Sequence, residues 1–218
     1  METTEIIFIL DRSGSMETIK KDAIGGFNAY VEDQKKQEGE AKMTLILFDN
    51  LYEVVYKGKD IKEVEPLNES TYIPRGSTAL LDAIGKTLNE GVTDPNADKH
   101  LVVIMTDGEE NSSREYTNEA IKKATEDLIA TQKWQFIYLG ANQDAFSVAS
   151  RIGINTSNSL SFTTDSLDMS ATYSKISSAT TMYRNMKANM FSGDILSKAN
   201  DIVKNELNKK PEDDKTNS

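Results

Sequence analysis

An acid and two hydroxyls, spaced two residues apart, are the residues of this chain whose types and spacing most directly suggest chemistry. Asp11, Ser13 and Ser15 follow the apolar run 6–10, so they stand where a buried strand is expected to end. At this spacing the three side chains can turn toward one point. Carboxylate and hydroxyl oxygens suit a hard divalent cation, so these residues predict ligands for a metal ion.

Two further segments could bring oxygen atoms to the same place. Thr78 follows a Gly-Ser pair that is expected to open a helix, and Asp107 follows a second apolar strand, 101–106. If both strands belong to one parallel sheet, their carboxyl ends lie where such sheets bind ligands, at a reversal of strand order. Five side chains are therefore expected to converge there: Asp11, Ser13, Ser15, Thr78 and Asp107.

This set of residues resembles the metal-ion-dependent adhesion site (MIDAS) of the von Willebrand factor type A domain family. Within that family, the chain resembles the intracellular proteins of bacteria or phages. The resemblance rests on Asp-x-Ser-x-Ser at 11–15, on Thr78 within Arg-Gly-Ser-Thr-Ala-Leu, and on Asp107 within Met-Thr-Asp-Gly-Glu-Glu-Asn. By this resemblance, Ser13 and Ser15 would bind the metal directly, and Thr78 directly or through water. The two aspartates would act mostly through water, and the last coordination position would take an Asp or Glu of a partner protein.

Magnesium is the metal that this donor set fits best, because Mg²⁺ takes compact oxygen ligands and readily keeps waters. Manganese would substitute for it, and calcium would fit less well. The set contains no His or Cys, which argues against zinc. Asp11 and Ser13 also have a simpler interpretation as helix caps, but Thr78 and Asp107 in matching contexts favour the metal site.

Other polar residues near the predicted site have two interpretations each. Glu109 and Glu110 would make the rim of the site negative, or would simply occupy a solvated loop. Arg75 could pair with a carboxylate of the partner, or be a surface arginine without a special role. Asn142 and Gln143 could line the rim of the cleft or cap a helix.

Strands and helices alternate along the chain, and the strands are continuous apolar runs. This pattern predicts an α/β fold, namely a three-layer, Rossmann-like, doubly wound and mostly parallel sheet with helices on both faces. A tight turn at Asp49-Asn50 predicts a hairpin, so one edge strand is expected to be antiparallel. The predicted strands occupy 5–10, 43–48, 52–56, 101–106, 134–139 and 160–162.

The predicted domain boundaries follow from a shift toward Ser and Thr late in the chain. Residues 1–192 are expected to form one von Willebrand factor type A-like domain, with a core over 1–163 and a long helix over 165–192. A weaker amphipathic helix is expected over 193–208, and a disordered tail over 209–218.

Charge and composition argue against several classes of partner. A formal net charge of −10 is unfavourable for nucleic acid, since binding phosphates needs clustered Lys and Arg. No apolar run approaches the roughly 20 residues that cross a bilayer, and the first residues are acidic where a secretory signal is basic. The lack of cysteine fits a reducing compartment. The sequence thus predicts a soluble, cytoplasmic protein without nucleic-acid or membrane partners.

Three functions remain open from the sequence. The resemblance implies a metal-dependent protein-interaction module without catalytic activity, an assembly or accessory factor whose partner could be an AAA+ ATPase or another assembly. A magnesium-dependent phosphohydrolase of the haloacid dehalogenase type is the second, although Ser13 stands where those enzymes place a second Asp. The third is a structural subunit with a vestigial metal site. No catalytic triad can be built around His100, the sole histidine. Of the three functions we favour the interaction module, and we therefore expect no enzyme activity.

Overall fold

One six-stranded sheet runs through the computed structural model, which describes residues 2–141, 144–188 and 193–199. The strands are Thr4–Asp11 (β1), Ala41–Phe48 (β2), Tyr52–Asp60 (β3), Lys99–Thr106 (β4), Trp134–Ala141 (β5) and Ser159–Phe162 (β6). The α-helices are Lys20–Lys35 (α1), Leu80–Asn89 (α2), Asn118–Ala130 (α3), Ala145–Arg151 (α4) and Ser166–Asn185 (α5). A 3₁₀ helix, Gly14–Ile19, leads into α1.

The strand order is β3-β2-β1-β4-β5-β6, and only the β2–β3 pair is antiparallel. The predicted mostly parallel sheet with one antiparallel edge strand is therefore confirmed. From β1 the chain moves outward to β2 and β3, then crosses back to place β4 on the other side of β1. The carboxyl ends of β1 and β4 therefore flank the point where the strand order reverses, which is where open α/β sheets bind ligands.

Helices cover both faces of the sheet, and this explains why the central strands contain continuous apolar runs. In β1, Ile6, Phe8 and Leu10 face the side covered by α1 and α5. Ile7 and Ile9 face the opposite side, which is covered by α2, α3 and α4. All five side chains are fully buried, as expected for a parallel sheet with two covered faces.

Two boundaries differ from those expected from the sequence. Helix α2 begins at Leu80, not at Ser77, because the backbone of Thr78 is hydrogen-bonded to Asn111 of a neighbouring loop. Helix α5 ends at Asn185, short of residue 192, since the buried ammonium of Lys99 binds the carbonyl oxygens of its last turn.

The last part of the chain is described only in part. Residues 195–199 are helical, and Ile195, Leu196 and Ala199 are buried against the core on the α1 and α5 side. The rest of the helix predicted over 193–208 and the tail predicted over 209–218 lie outside the described residues, as do residues 189–192. Among the helices that the structure describes, none combines the length and the apolar composition needed to cross a bilayer.

Candidate metal centre

The site lies at the carboxyl edge of the sheet, where three loops meet. Asp11 is the last residue of β1, and Ser13 and Ser15 belong to the loop and 3₁₀ turn that follow it. Asp107 directly follows β4. The Ser13 and Ser15 hydroxyl oxygens are 3.1 Å apart, and Ser15 Oγ donates a hydrogen bond of 2.6 Å to Asp107 Oδ1. The structure therefore brings the motif after β1 against the acid after β4.

Thr78 reaches the same place from the loop before α2, as the surroundings of Gly108 show. A Cβ atom added to Gly108 would lie 2.8 Å from Thr78 Oγ1, 3.5 Å from Ser15 Oγ and 3.7 Å from Ser13 Oγ. Three hydroxyl oxygens thus surround one small volume that a larger residue at this position would enter. Asp107 borders it through its bond to Ser15.

The carboxyl of Asp11 is fully buried and is held by protein donors. Its Oδ1 accepts the Ser13 backbone N–H at 2.6 Å, and its Oδ2 accepts the Thr106 hydroxyl at 2.5 Å. Burial raises the pKa of Asp11 to about 6, although these hydrogen bonds oppose the shift. Because both oxygens already have donors, Asp11 is placed to orient the site or to hold a water.

Asp107 is in a similar electrostatic situation. Burial raises its pKa, and the hydrogen bond from Ser15 acts in the opposite direction. The charge of Asp107 in turn helps to raise the pKa of Asp11. A divalent cation beside the two carboxylates would offset the cost of ionising both.

Hydrogen bonds from backbone N–H groups hold the three loops to one another. The Thr78 N–H donates to Asn111 Oδ1 at 3.0 Å, and the Thr78 carbonyl accepts the Asn111 N–H at 3.0 Å. The Gly14 N–H donates to the Gly76 carbonyl at 3.1 Å, which joins the loop after β1 to the loop before α2. The hydroxyls are therefore held in place by a scaffold that does not depend on their own contacts.

Thr106 and Asn111 were missed by the sequence interpretation, although both contribute to this scaffold. Thr106 precedes Asp107 directly, but as the last residue of a buried strand it looks like any strand threonine. Asn111 stands in a polar loop whose contact with Thr78 is not visible in the sequence. The only signal was their closeness to Asp107 along the chain.

The contacts of Glu110 fit neither of the two interpretations given for it from the sequence. Its Oε1 accepts the N–H groups of Ser112 and Ser113 at 2.9 and 2.7 Å, and its Oε2 accepts the Leu81 N–H at 2.9 Å. Glu110 therefore caps the start of α2 and shapes its own loop, and it is neither a free rim charge nor a solvated residue. Glu109 is exposed.

The remaining candidates are not part of the cluster. His100 lies at the opposite end of β4, where its Nδ1 is 3.0 Å from Glu5 Oε2 and its ring stacks on Trp134. This buried arrangement makes it a structural residue. Asn142 and Gln143 lie outside the described residues.

The donor set decides which kind of ion could fit. In the described ranges, no three His, Cys, Asp or Glu side chains form a group that could hold a metal ion. A site at this edge must therefore draw on the three hydroxyls besides two carboxylates, and such all-oxygen sets suit hard divalent cations. The residues present fit a cation of this kind.

Comparison with known proteins agrees with this architecture. The profile of the von Willebrand factor type A domain matches residues 5–189. No curated protein is significantly similar to the chain.

Solved structures share the fold at low sequence identity. Proximal thread matrix protein 1 from the mussel byssus, with a zinc-occupied MIDAS motif, has a TM-score of 0.59 and 16% identity over 84% of this chain and 46% of its own. The ArnB paralog VWA2 from Sulfolobus acidocaldarius has a TM-score of 0.56 and 19% identity over 80% of this chain and 45% of its own. The vWF domain of a type V pili tip protein from Porphyromonas gingivalis has a TM-score of 0.63 and 11% identity over 85% and 97%.

The chain spans less than half the length of the mussel and Sulfolobus proteins. At these identities, the likeness to solved structures concerns the fold.

Proposed function

We propose that this chain, which belongs to the von Willebrand factor type A domain family, binds a partner protein through a divalent cation at the carboxyl edge of its sheet. The observation that carries the proposal is the convergence of three hydroxyl oxygens around Gly108, beside the carboxyl of Asp107. The residues proposed to hold the cation are Asp11, Ser13, Ser15, Thr78 and Asp107.

Each residue of the set has a role that its contacts support. Ser13 and Ser15 are proposed as direct ligands, and Thr78 as a ligand that binds directly or through water, because the three hydroxyls face one volume. Asp107 and Asp11 supply negative charge, and Asp11 also orients the Ser13 backbone. When bound, the cation supplies an electrophilic position for an Asp or Glu oxygen of the partner.

Magnesium is the proposed ion, with manganese as a substitute and calcium as a weaker one. All five side chains offer oxygen, which supports this order of preference. Because the MIDAS motif of the mussel protein holds zinc, Zn²⁺ belongs in the same competition experiment.

We propose a binding role without catalysis. The family match gives no support to the haloacid dehalogenase alternative. This chain also has Ser13 at the position where those enzymes place a second Asp. The remaining alternative is a structural domain with a vestigial metal site, and experiment must distinguish it from the proposed binding function. A cytoplasmic location and a partner such as an AAA+ ATPase stay predictions.

The proposal is tested by loading the chelator-stripped full chain with Mn²⁺ and measuring the relaxation of water protons while acetate is added. We expect the relaxation enhancement to fall saturably, because a carboxylate would replace a coordinated water. Acetamide, which has the same shape but no charge, should have no such effect.

Two results would contradict the proposal. If Mn²⁺ binds and acetate changes nothing, the site does not take a carboxylate. If Ser13→Ala and Asp107→Ala bind Mn²⁺ as the wild type does, the ion lies elsewhere.

A further inference from the structure

Arg75 stands immediately beside the candidate metal centre. Its backbone N–H donates to the Arg12 carbonyl at 2.8 Å, in the loop that carries Ser13. The next residue, Gly76, accepts a hydrogen bond from the Gly14 N–H at 3.1 Å. The Arg75 side chain is 50% exposed, so it starts next to the metal ligands and reaches the surface.

A fully buried carboxylate fixes the direction of this side chain. Arg75 Nε donates to Asp49 Oδ2 at 3.0 Å, and Asp49 has no exposed side-chain surface. Gly76 has a positive φ of 66°, and a Cβ there would collide with Asn50 Oδ1 at 2.0 Å, so the loop packs tightly on the β2–β3 turn. The guanidinium is therefore held by its inner nitrogen.

The outer part of the guanidinium is free to bind. Within the described residues, the Arg75 contacts are confined to Nε and the backbone. Two parallel N–H donors of an arginine match the two oxygens of a carboxylate. Because Asp49 orients the group in advance, little side-chain entropy would be lost when a carboxylate binds.

The acid that holds Arg75 is shared with a second arginine. Asp49 Oδ2 is shared between Arg75 and Arg12, so one carboxylate faces two guanidinium groups. The second acid, Glu53, pairs with Arg12 at 2.5 Å. In a chain with a formal net charge of −10, a fixed cation beside the metal centre would counter the general repulsion of an acidic partner.

Two exposed apolar side chains lie near Arg75 and Asp49 in the sequence. Ile73 is 51% exposed two residues before Arg75, and Leu51 is 57% exposed two residues after Asp49. Exposed apolar side chains around a polar anchor are typical of protein interfaces, where they exclude water.

We propose that Arg75 binds a second acidic side chain of the partner, next to the carboxylate that the metal takes. The surface would then recognise a segment with two closely spaced acids, one for the cation and one for the guanidinium. This inference rests on the proposed metal-dependent function and adds to it a specificity-determining residue.

The test uses peptides displayed on bacteriophage, each with one fixed Glu and randomised flanking positions, selected on the full chain in Mg²⁺ and eluted with a chelator. We expect wild type to enrich Asp or Glu at one flanking position. Arg75→Gln should lose this preference, and Arg75→Glu should replace it with Lys or Arg. Arg151→Gln, which removes an exposed arginine from α4, should keep it.

Binding measurements with a synthetic copy of the selected peptide give the contribution of its second acid to the affinity. Changing its second acid to the amide should weaken binding to wild type about three- to tenfold, and should leave binding to Arg75→Gln unchanged. Reversal of the preference by Arg75→Glu is a result that a merely structural role for Arg75 would not produce.

The outcomes separate this inference from the function on which it rests. Chelator-sensitive enrichment without a second acid would overturn the role of Arg75 and leave the proposed function standing. The absence of any chelator-sensitive enrichment would contradict both.

Discussion

The carboxyl of Asp11 combines two opposing demands. It is fully buried, which disfavours its charged form, yet it lies in a site whose proposed ion requires negative charge. Thr106 and the Ser13 backbone stabilise the charge in part. The folded protein without metal therefore carries an electrostatic cost at neutral pH that metal binding would relieve.

Asp11→Asn should consequently stabilise the metal-free protein while abolishing metal binding. The pKa of Asp11 is about 6 in the folded state, above its ordinary value of 3.8, so folding favours the protonated form. The contribution of Asp11 to stability is present at pH 4 and is lost as the pH rises through 6. We expect the variant to gain about 1–2 kcal/mol in the free energy of unfolding at pH 7.5, and nothing at pH 4.

Urea denaturation in the presence of a chelator measures this gain. Asp82→Asn is the matched control of opposite sign: burial raises the pKa of Asp82, but three backbone N–H donors outweigh it and lower the pKa. That control should lose stability at pH 7.5. Equal destabilisation of both variants would mean that Asp11 is a structural residue.

Thr106 is predicted to raise the metal affinity of the site without binding the ion itself. Thr106→Val keeps the shape of this buried residue but removes the hydroxyl that donates to Asp11 Oδ2. We expect Mg²⁺ affinity to fall about tenfold, as is usual when a partner of a metal-orienting carboxylate is removed. Calorimetric titration gives the affinity, and Thr125→Val in α3 is a buried control. Unchanged affinity in Thr106→Val would exclude Thr106 from the site.

The candidate metal ligands could be predicted from the sequence, but the residues that hold their loops in place could not. Asp11, Ser13 and Ser15 are recognisable because their spacing and the preceding strand are both local features. The contact between Asn111 and Thr78, and the capping of α2 by Glu110, join loops that are 33 and 29 residues apart. Contacts of this kind depend on how the loops meet, which no local pattern encodes.

Helices α1 and α5 pack closely against each other at Gly26. A Cβ added to Gly26 would lie 2.0 Å from the Tyr173 ring, so the bare backbone of α1 is what admits this ring. Tyr173 in turn stacks on Phe8 of the central strand and donates to the Ala23 carbonyl at 3.2 Å. Tyr173 therefore connects α5 both to α1 and to the central strand of the sheet.

Gly26→Ala should therefore destabilise the fold, whereas Gly25→Ala should not. Forcing Tyr173 away from α1 is expected to cost about 2–3 kcal/mol, as overpacking of a close-packed core does. Gly25 has no atom within 4 Å of an added Cβ, so alanine there should stabilise the helix by about 0.5–1 kcal/mol. Thermal unfolding of the two variants checks the difference. Similar effects of both substitutions would contradict the packing described here.

Strands and helices could be predicted from the sequence where burial of apolar side chains determines their position. Strands β1, β2, β4 and β5 were expected near their observed positions, because side chains covered on both faces leave a continuous apolar run. The edge strand β3 is exposed or half-buried throughout and was expected from the Asp49-Asn50 turn instead. The start of α2 was misplaced because Thr78 bonds to Asn111, and the end of α5 because Lys99 binds its last carbonyls. Both helix ends are set by tertiary contacts.

In the whole molecule, most of the exposed large apolar side chains lie at the same edge of the sheet as the candidate metal centre. Apart from Val54 on the edge strand, the large apolar side chains that are exposed in the described ranges lie in loops or helix starts at the carboxyl edge: Leu51, Ile73, Phe146 and Leu167. The candidate metal centre and Arg75 lie at the same edge. A partner that approaches there would meet the proposed cation, the Arg75 guanidinium and apolar surface together.

The measurement that tests the account most directly is calorimetric titration of Mg²⁺ into the chelator-stripped full chain, run in parallel on Asp107→Ala. We predict saturable binding at one site in wild type. We also predict its loss in Asp107→Ala, with the circular dichroism spectrum and the metal-free stability of that variant largely preserved. Mn²⁺, Ca²⁺ and Zn²⁺ titrations would then rank the ions. Absence of saturable Mg²⁺ binding, or equal binding by Asp107→Ala, would contradict a metal centre built from these residues.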